Sequence, residues 1–347
     1  MRSVKRLVGA AASVFVVGLG QALAGRRRAA ITWALARLVT TELAIVSVWF
    51  GVVSLTIALA GAIDAYQCMT KAERIDLLDP IGLALVPIFF VTLFATRALV
   101  VEGYRIPTSS MYPTLWLEDR VYVDKLSPHW HPIEPGEIAA FVYPCDHDDV
   151  YVKRVIAVAG DRVELRCSKL YVNDQLVPEQ LVTETYDYED RLDAGDWVTA
   201  HASEYRERLG GHDFDVLYDP NRPARDRQLA AGNYTQRAPH DFPLANDNPF
   251  PPSCGHAPPS AERSREREQV VGKLVVTKPA AVAQPCELQA HYVVPPDSLF
   301  VLGDNRANSN DSRVWGALPV SLLIGRVKSV FWHGGRGSSW SRIGGVE

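Results

Sequence analysis

No Gly-x-Ser-x-Gly occurs anywhere in the 347 residues, and none of the nine histidines lies in a nucleophile-elbow setting. The hydrolase arrangement built on that elbow is therefore excluded. None of the lysines has a serine three residues before it, which removes the Ser-x-x-Lys arrangement as well. A helix-borne His-Glu-x-x-His is missing too, and His129-Trp-His131 with Asp146-His-Asp148 does not have the ligand spacing of a structural zinc site. No metal and no cofactor is expected. The net charge of −4 gives no sign of a nucleic-acid partner.

What the chain does have is a sharp division. The first hundred residues are strongly apolar and the rest is polar, although the mean hydropathy is only −0.04. Residues 43–63 carry no charge and are long enough to cross a bilayer. Residues 81–96 are also uncharged; Arg97 can snorkel while 98–101 complete the span. Residues 7–25 are uncharged, follow the basic start Met1-Arg-Ser-Val-Lys-Arg6 and end in Ala22-Leu-Ala24. They fit a cleaved secretory signal, a spanning helix, or an interfacial or re-entrant helix, and Arg26-Arg-Arg28 speaks against the first.

Ser110 stands in Arg105-Ile-Pro-Thr-Ser-Ser-Met-Tyr-Pro-Thr-Leu115, just past the second apolar run. Pro107 and Pro113 fix φ and disfavour helix before them, so the segment is expected to be stiff and extended. At roughly 3.3 Å per extended residue, Ser110 lies at most about 30 Å along the chain from Val101. A serine needs a base. Lys153, in Tyr-Val-Lys-Arg-Val-Ile-Ala-Val-Ala-Gly-Asp161, shares a strand face with Tyr151, Val155 and Ala157, while Arg154 faces the other way. Desolvation among apolar neighbours is what lowers a lysine pKa towards a usable base. The plainer reading is a surface lysine on an edge strand. A third stretch, Gly303-Asp-Asn-Arg-Ala-Asn-Ser-Asn-Asp-Ser-Arg-Val-Trp-Gly316, follows an apolar strand and reads as a loop fixed by its own side chains.

Together the three stretches resemble the nucleophile, lysine and closing boxes of bacterial type I signal peptidase, the membrane-bound Ser/Lys serine protease family that removes signal peptides. The resemblance implies Ser110 as nucleophile and Lys153 as general base. It implies an oxyanion hole formed by the Thr108 hydroxyl and the Ser110 N–H. It also gives Ser309 the role of orienting the lysine amine, Asp311 and Arg313 that of a supporting ion pair, and Gly303 that of a close-approach glycine. Ala307 and Val314 depart from the family's common residues at their positions, Asp and an aromatic, without removing a proposed catalytic atom. Implied partners are exported preproteins with small residues before the cut, and membrane lipid. The implied setting is the bacterial inner membrane, multi-pass, with catalysis on the outer face; Ser110 must then lie outside and residues 64–80 inside. Lys71 and Arg74 are matched by acidic residues in that loop, so the charge rule says little about orientation.

Short alternating runs at 119–124, 137–143, 163–166 and 169–172, with turn signals between them, argue for a mainly β catalytic domain of coiled, barrel-like antiparallel sheets behind N-terminal transmembrane helices. The expected organisation is a membrane anchor at 1–101, a catalytic β-domain at 102–180 and 291–347, and an inserted smaller β-domain at 181–290. Within the insertion, strands are expected near 205–218 and 269–278, and disorder at about 220–267. Cys145, Cys167, Cys254 and Cys286 fall outside and Cys68 inside; of three possible pairings, Cys254 with Cys286 is favoured because it would staple the insertion. Residues 331–344, rich in aromatics and Arg, suit either a lipid interface or a tail packed on the β-domain. Two other functions fit parts of the pattern: a self-cleaving Ser/Lys protease, which needs no anchor, and a membrane-anchored binding domain without catalysis.

Overall fold

The computed structural model describes residues 11, 13–43, 48–72, 79–191, 195–233, 238, 240–243, 251–255, 271–278, 282, 284, 286–334 and 340–346. The chain divides into two compact units, Met1–Val101 and Glu102–Glu347. The first is helical, with helices at Leu19–Leu23, Arg27–Leu43, Val48–Lys71 and Pro80–Leu99. The expected span at 43–63 includes residues 44–47, which lie outside the described residues. Among the described residues, no helix is long and apolar enough to cross a membrane.

The second unit is mainly β. Its strands are β1 (Val101–Arg105), β2 (Asp119–Asp124), β3 (Ile138–Val142), β4 (Val150–Val158), β5 (Arg162–Arg166), β6 (Lys169–Val172), β7 (Gln175–Leu176), β8 (Glu179–Arg191), β9 (Trp197–Leu209), β10 (His212–Tyr218), β11 (Lys273–Val276), β12 (Ala290–Val293), β13 (Ser298–Leu302), β14 (Leu318–Pro319), β15 (Leu323–His333) and β16 (Gly344–Gly345). One sheet runs β1-β2-β15-β3-β4-β13-β14, with β16 added beside β15. A second runs β11-β12-β5-β6-β7, and a third, β10-β9-β8. The hairpin of β5 and β6 and the turn at Asn173-Asp174 fall where the alternating pattern puts them.

β4 lies between β3 and β13, so Lys153 is on an interior strand and not on an edge. Val155 joins Phe141, Val301 and Trp315 in one core cluster, whereas Ile156 and Ala157 join Phe300 and Tyr292 in another. Simple alternation, which places Val155 and Ala157 together, therefore fails. The register against β13 shifts between Phe300 and Val301, and such a bulge turns the following side chains to a new face.

Three further expectations are corrected. The segment around Ser110 is not extended throughout: Tyr112 N–H donates to the Ser109 carbonyl at 3.1 Å and Leu115 N–H to the Met111 carbonyl at 2.9 Å. Pro113 restricts only Tyr112, and burial of Met111 and Leu115 draws the chain into a turn. The expected disorder from 220 begins instead with a helix, Arg222–Ala230, anchored by fully buried Arg222. That guanidinium lies 3.8 Å from the rings of both Tyr205 and Tyr218 and pairs with Glu179. Residues 234–237, 239, 244–250 and 256–267 of that stretch lie outside the described residues. The disulfides are Cys145–Cys254 and Cys167–Cys286, not Cys254–Cys286. Each joins the first part of the β unit to sequence beyond the third sheet, so topology and not the insertion's own need decides the pairing. In the tail, β16 pairs with β15, Phe331 stacks on Tyr122 and Arg342 lies 4.1 Å from the Trp116 ring. The described part of the tail thus packs on the sheet.

Candidate active site

β1 leads through Pro107 into the turn that carries Ser110, and β4 brings Lys153 to it from the neighbouring part of the large sheet. The Lys153 Nζ donates to Ser110 Oγ at 2.7 Å. Lys153 is only 4 % exposed. Burial pushes its amine down to about 8, against the opposing pull of Asp311 and Asp304 and with a smaller push from Arg313. Thr108 Oγ1 lies 3.1 Å from Ser110 Oγ on the open side. A cavity of about 430 Å³ fronts the pair, lined by Tyr104, Ile106, Met111, Val150, Tyr151 and Val152 among others. An amine that is dry, a hydroxyl in contact with it and a cleft beside both are the requirements for base-assisted attack on a carbonyl.

The closing loop supports this pair from beneath. Gly303 has neighbours that exclude a side chain: a Cβ there would overlap Ser309 Oγ and the Ser110 carbonyl oxygen. Its N–H donates to Asp311 at 3.0 Å. Arg313 donates to both oxygens of Asp311 at 2.8 Å and to the Arg306 carbonyl at 2.8 Å. Burial opposes ionisation of Asp311, but the Arg313 charge and these hydrogen bonds outweigh it and hold the carboxyl below its usual range. The Ser309 hydroxyl is buried beside Asp311, whose ionised form it favours, and the hydrogen bond of the Lys153 amine goes to Ser110. The side chain packs against Gly303, whose missing Cβ leaves the room it occupies.

Several residues that hold the site received no role from sequence. Arg154, fully buried, donates from Nε and Nη2 to the two Asp304 oxygens at 2.8 and 2.7 Å and from Nη1 to the Gly136 carbonyl at 2.6 Å. Its guanidinium also covers the Phe214 ring at 4.0 Å. A signal existed: an arginine on the far face of an interior strand demands a buried acid, and Asp304 stands in the closing stretch. Asn305 N–H donates to the Ser110 carbonyl at 3.1 Å, and its Nδ2 donates to the Ser109 carbonyl at 3.2 Å. No local pattern marks that contact, which joins positions 196 residues apart.

A family model described as signal peptidase, peptidase S26, matches residues 80–332. Signal peptidase I of Buchnera aphidicola subsp. Acyrthosiphon pisum is 24% identical over 256 residues, covering 70% of this chain and 71% of its own. Signal peptidase I of Pseudomonas aeruginosa is 26% identical over 308 residues, covering 80% and 83%. A chloroplastic thylakoidal processing peptidase 1 of Arabidopsis thaliana is 38% identical over 103 residues, 27% of this chain and 30% of that one.

Proposed function

The chain belongs to the signal peptidase family, peptidase S26, and from that membership we propose that it is a membrane-bound serine endopeptidase using Ser110 and neutral Lys153 to remove signal peptides from exported preproteins. The coarse activity, a peptidase acting on signal peptides, follows from the family itself. The observation that carries the finer reading is the 2.7 Å contact between Lys153 Nζ and Ser110 Oγ in a buried setting.

At that separation a neutral amine accepts the Ser110 proton as Oγ bonds to the scissile carbonyl carbon. The Thr108 hydroxyl and the Ser110 N–H donate to the oxyanion. Collapse of the tetrahedral adduct breaks the C–N bond, and the Lys153 ammonium returns its proton to the leaving amine, the new N-terminus of the mature protein. Neutral Lys153 then takes a proton from the water that attacks the acyl-enzyme; the second adduct breaks its C–Oγ bond, the ammonium returns that proton to Ser110 Oγ, and the signal peptide leaves as a carboxylic acid that ionises in solution. Met111, Val150 and Tyr151 on the cavity wall suit small apolar side chains before the cut.

The membrane reading is supported by the uncharged runs at 43–63 and 81–96. Two disulfides in the β unit, with Cys68 free in the helical unit, suit an oxidising outer face for the former. In this reading 1–101 anchors the chain in the bacterial inner membrane, 102–180 with 291–347 forms the catalytic part, and 181–290 is inserted. Ser110→Ala and Lys153→Ala are each expected to reduce preprotein processing by at least about 10³-fold while the fold is kept. Processing at the wild-type rate by either variant ends the assignment.

A further inference from the structure

The third sheet, β8 to β10, is inserted between the lysine strand and the closing loop, and its hydrogen bonds converge on the turn that carries Ser110. Tyr188 of β8 accepts from Asn305 Nδ2 at 2.9 Å, and that same nitrogen donates to the Ser109 carbonyl at 3.2 Å. The Asn305 N–H holds the Ser110 carbonyl at 3.1 Å. Leu217 N–H of β10 donates to the Asp304 carbonyl at 2.8 Å, so the closing loop is bonded to the sheet edge one residue earlier. Arg306, one residue later, donates to Glu207 of β9 at 2.6 and 3.0 Å and to the Tyr218 hydroxyl at 3.0 Å. At the loop's outer end, Asn308 Nδ2 donates both to Asp190 at 2.8 Å and to Ser109 Oγ at 3.2 Å.

We propose that the inserted sheet positions the catalytic serine, with Tyr188 and Glu207 as its positioning residues acting through Asn305 and Arg306. The inference rests on Ser110 being the nucleophile. A sheet that merely covered the catalytic part would meet it through apolar contact, and such contact exists: Tyr112 and Leu117 share one buried cluster with Tyr188, Ala202 and Leu217, the Tyr188 and Tyr112 rings lying 5.0 Å apart. The polar contacts are different in kind. Asn305 is fully buried, and its amide is clamped between a phenol on one element and a carbonyl beside the nucleophile on another. Glu207 and Arg306 are both buried, so neither charge has water as an alternative partner. Removing the phenol leaves the amide free to turn and loosens the Ser109 carbonyl. A misplacement near 1 Å at a reacting atom is enough to cost about 100-fold in rate.

The test uses the full chain in detergent micelles with a preprotein substrate. Tyr188→Phe keeps the ring contact and removes only the hydroxyl; kcat is expected to fall about five- to tenfold with KM unchanged. Asn305→Ala is expected to fall further, and the double variant no further than Asn305→Ala alone. Glu207→Gln, which keeps shape and removes charge, is expected to lower kcat without raising KM. An unchanged kcat in Tyr188→Phe, or losses that multiply in the double variant, overturns the proposal. Ser110→Ala is run alongside: if it still processes, the nucleophile reading fails separately. The brace then remains measurable through hydrogen exchange at the Asn305 amide, expected to quicken in Tyr188→Phe; unchanged exchange there overturns it without reference to activity.

Discussion

Lys153 is a basic side chain held in a place that disfavours its charge. Its amine sits near 8 because burial outweighs the attraction of Asp311 and Asp304. An ordinary lysine, near 10.4, is almost wholly protonated at neutral pH and accepts no proton. Processing should therefore rise with pH as the amine loses its proton through about 8, and kcat/KM measured from pH 6 to 10 should show that limb. A flat profile across that range would sink the role of Lys153. The sign for stability follows from the same depression. The unfolded lysine binds its proton more tightly than the folded one, so stability rises with pH between about 8 and the unfolded value near 10.4, and below 8 the full penalty is present. That penalty is roughly 3 kcal/mol. Lys153→Met, apolar and of similar length, should be inactive yet more stable at pH 7, a pairing that urea denaturation and a processing assay check together. A destabilised Lys153→Met would mean that the ammonium is better satisfied than its burial indicates.

At the scale of elements, the closing loop shows what a local motif reveals and what it conceals. The turn composition at 303–316 and the ion pair of Asp311 with Arg313 are legible, because Gly, Asp, Asn and Ser fix loops through bonds to near neighbours. Gly303 tests this directly. A Cβ there would meet the Ser110 carbonyl, a backbone atom that cannot swing aside, as well as the Ser309 hydroxyl. Gly303→Ala should cost about 1–3 kcal/mol in stability and, by displacing the Ser110 turn, about 100-fold or more in kcat. Thermal unfolding and single-turnover rates separate the two effects, and wild-type turnover would show that the turn tolerates the shift. The short strands β2, β3, β5 and β6 were legible from alternation for the same local reason. Most of β8 was not, since its residues are polar and exposed on both faces and its pairing with β9 shifts register twice. Neither was the bulge in β4, which exists only against β13.

For the whole molecule, the decisive constraint is which distant segments meet, and the cysteines show why one dimension is not enough. Cys145 and Cys254 are 109 residues apart, and Cys167 and Cys286 are 119 apart. In sequence order the two bridges interleave, so a pairing favoured because it would staple one segment is misled. The partners are set by pairings such as β12 with β5, which carry Cys286's end of the chain back toward Cys167. Loop-closure entropy scales as (3/2)RT ln n, so the two loops differ by only about 0.1 kcal/mol on that account. Packing does differ: Cys145 and Cys254 are buried in the cluster that holds Trp315, Phe141 and Val301, whereas Cys286 is only half-buried. Removing either bridge should cost about 2–5 kcal/mol. The Cys145→Ala/Cys254→Ala pair should cost more than Cys167→Ala/Cys286→Ala by about 1 kcal/mol, because the former also opens a cavity in the core. Denaturant midpoints of the two double variants at equal m-values measure the difference. Equal losses would mean that the bridges act only through the unfolded chain and that the core closes over the missing sulfurs.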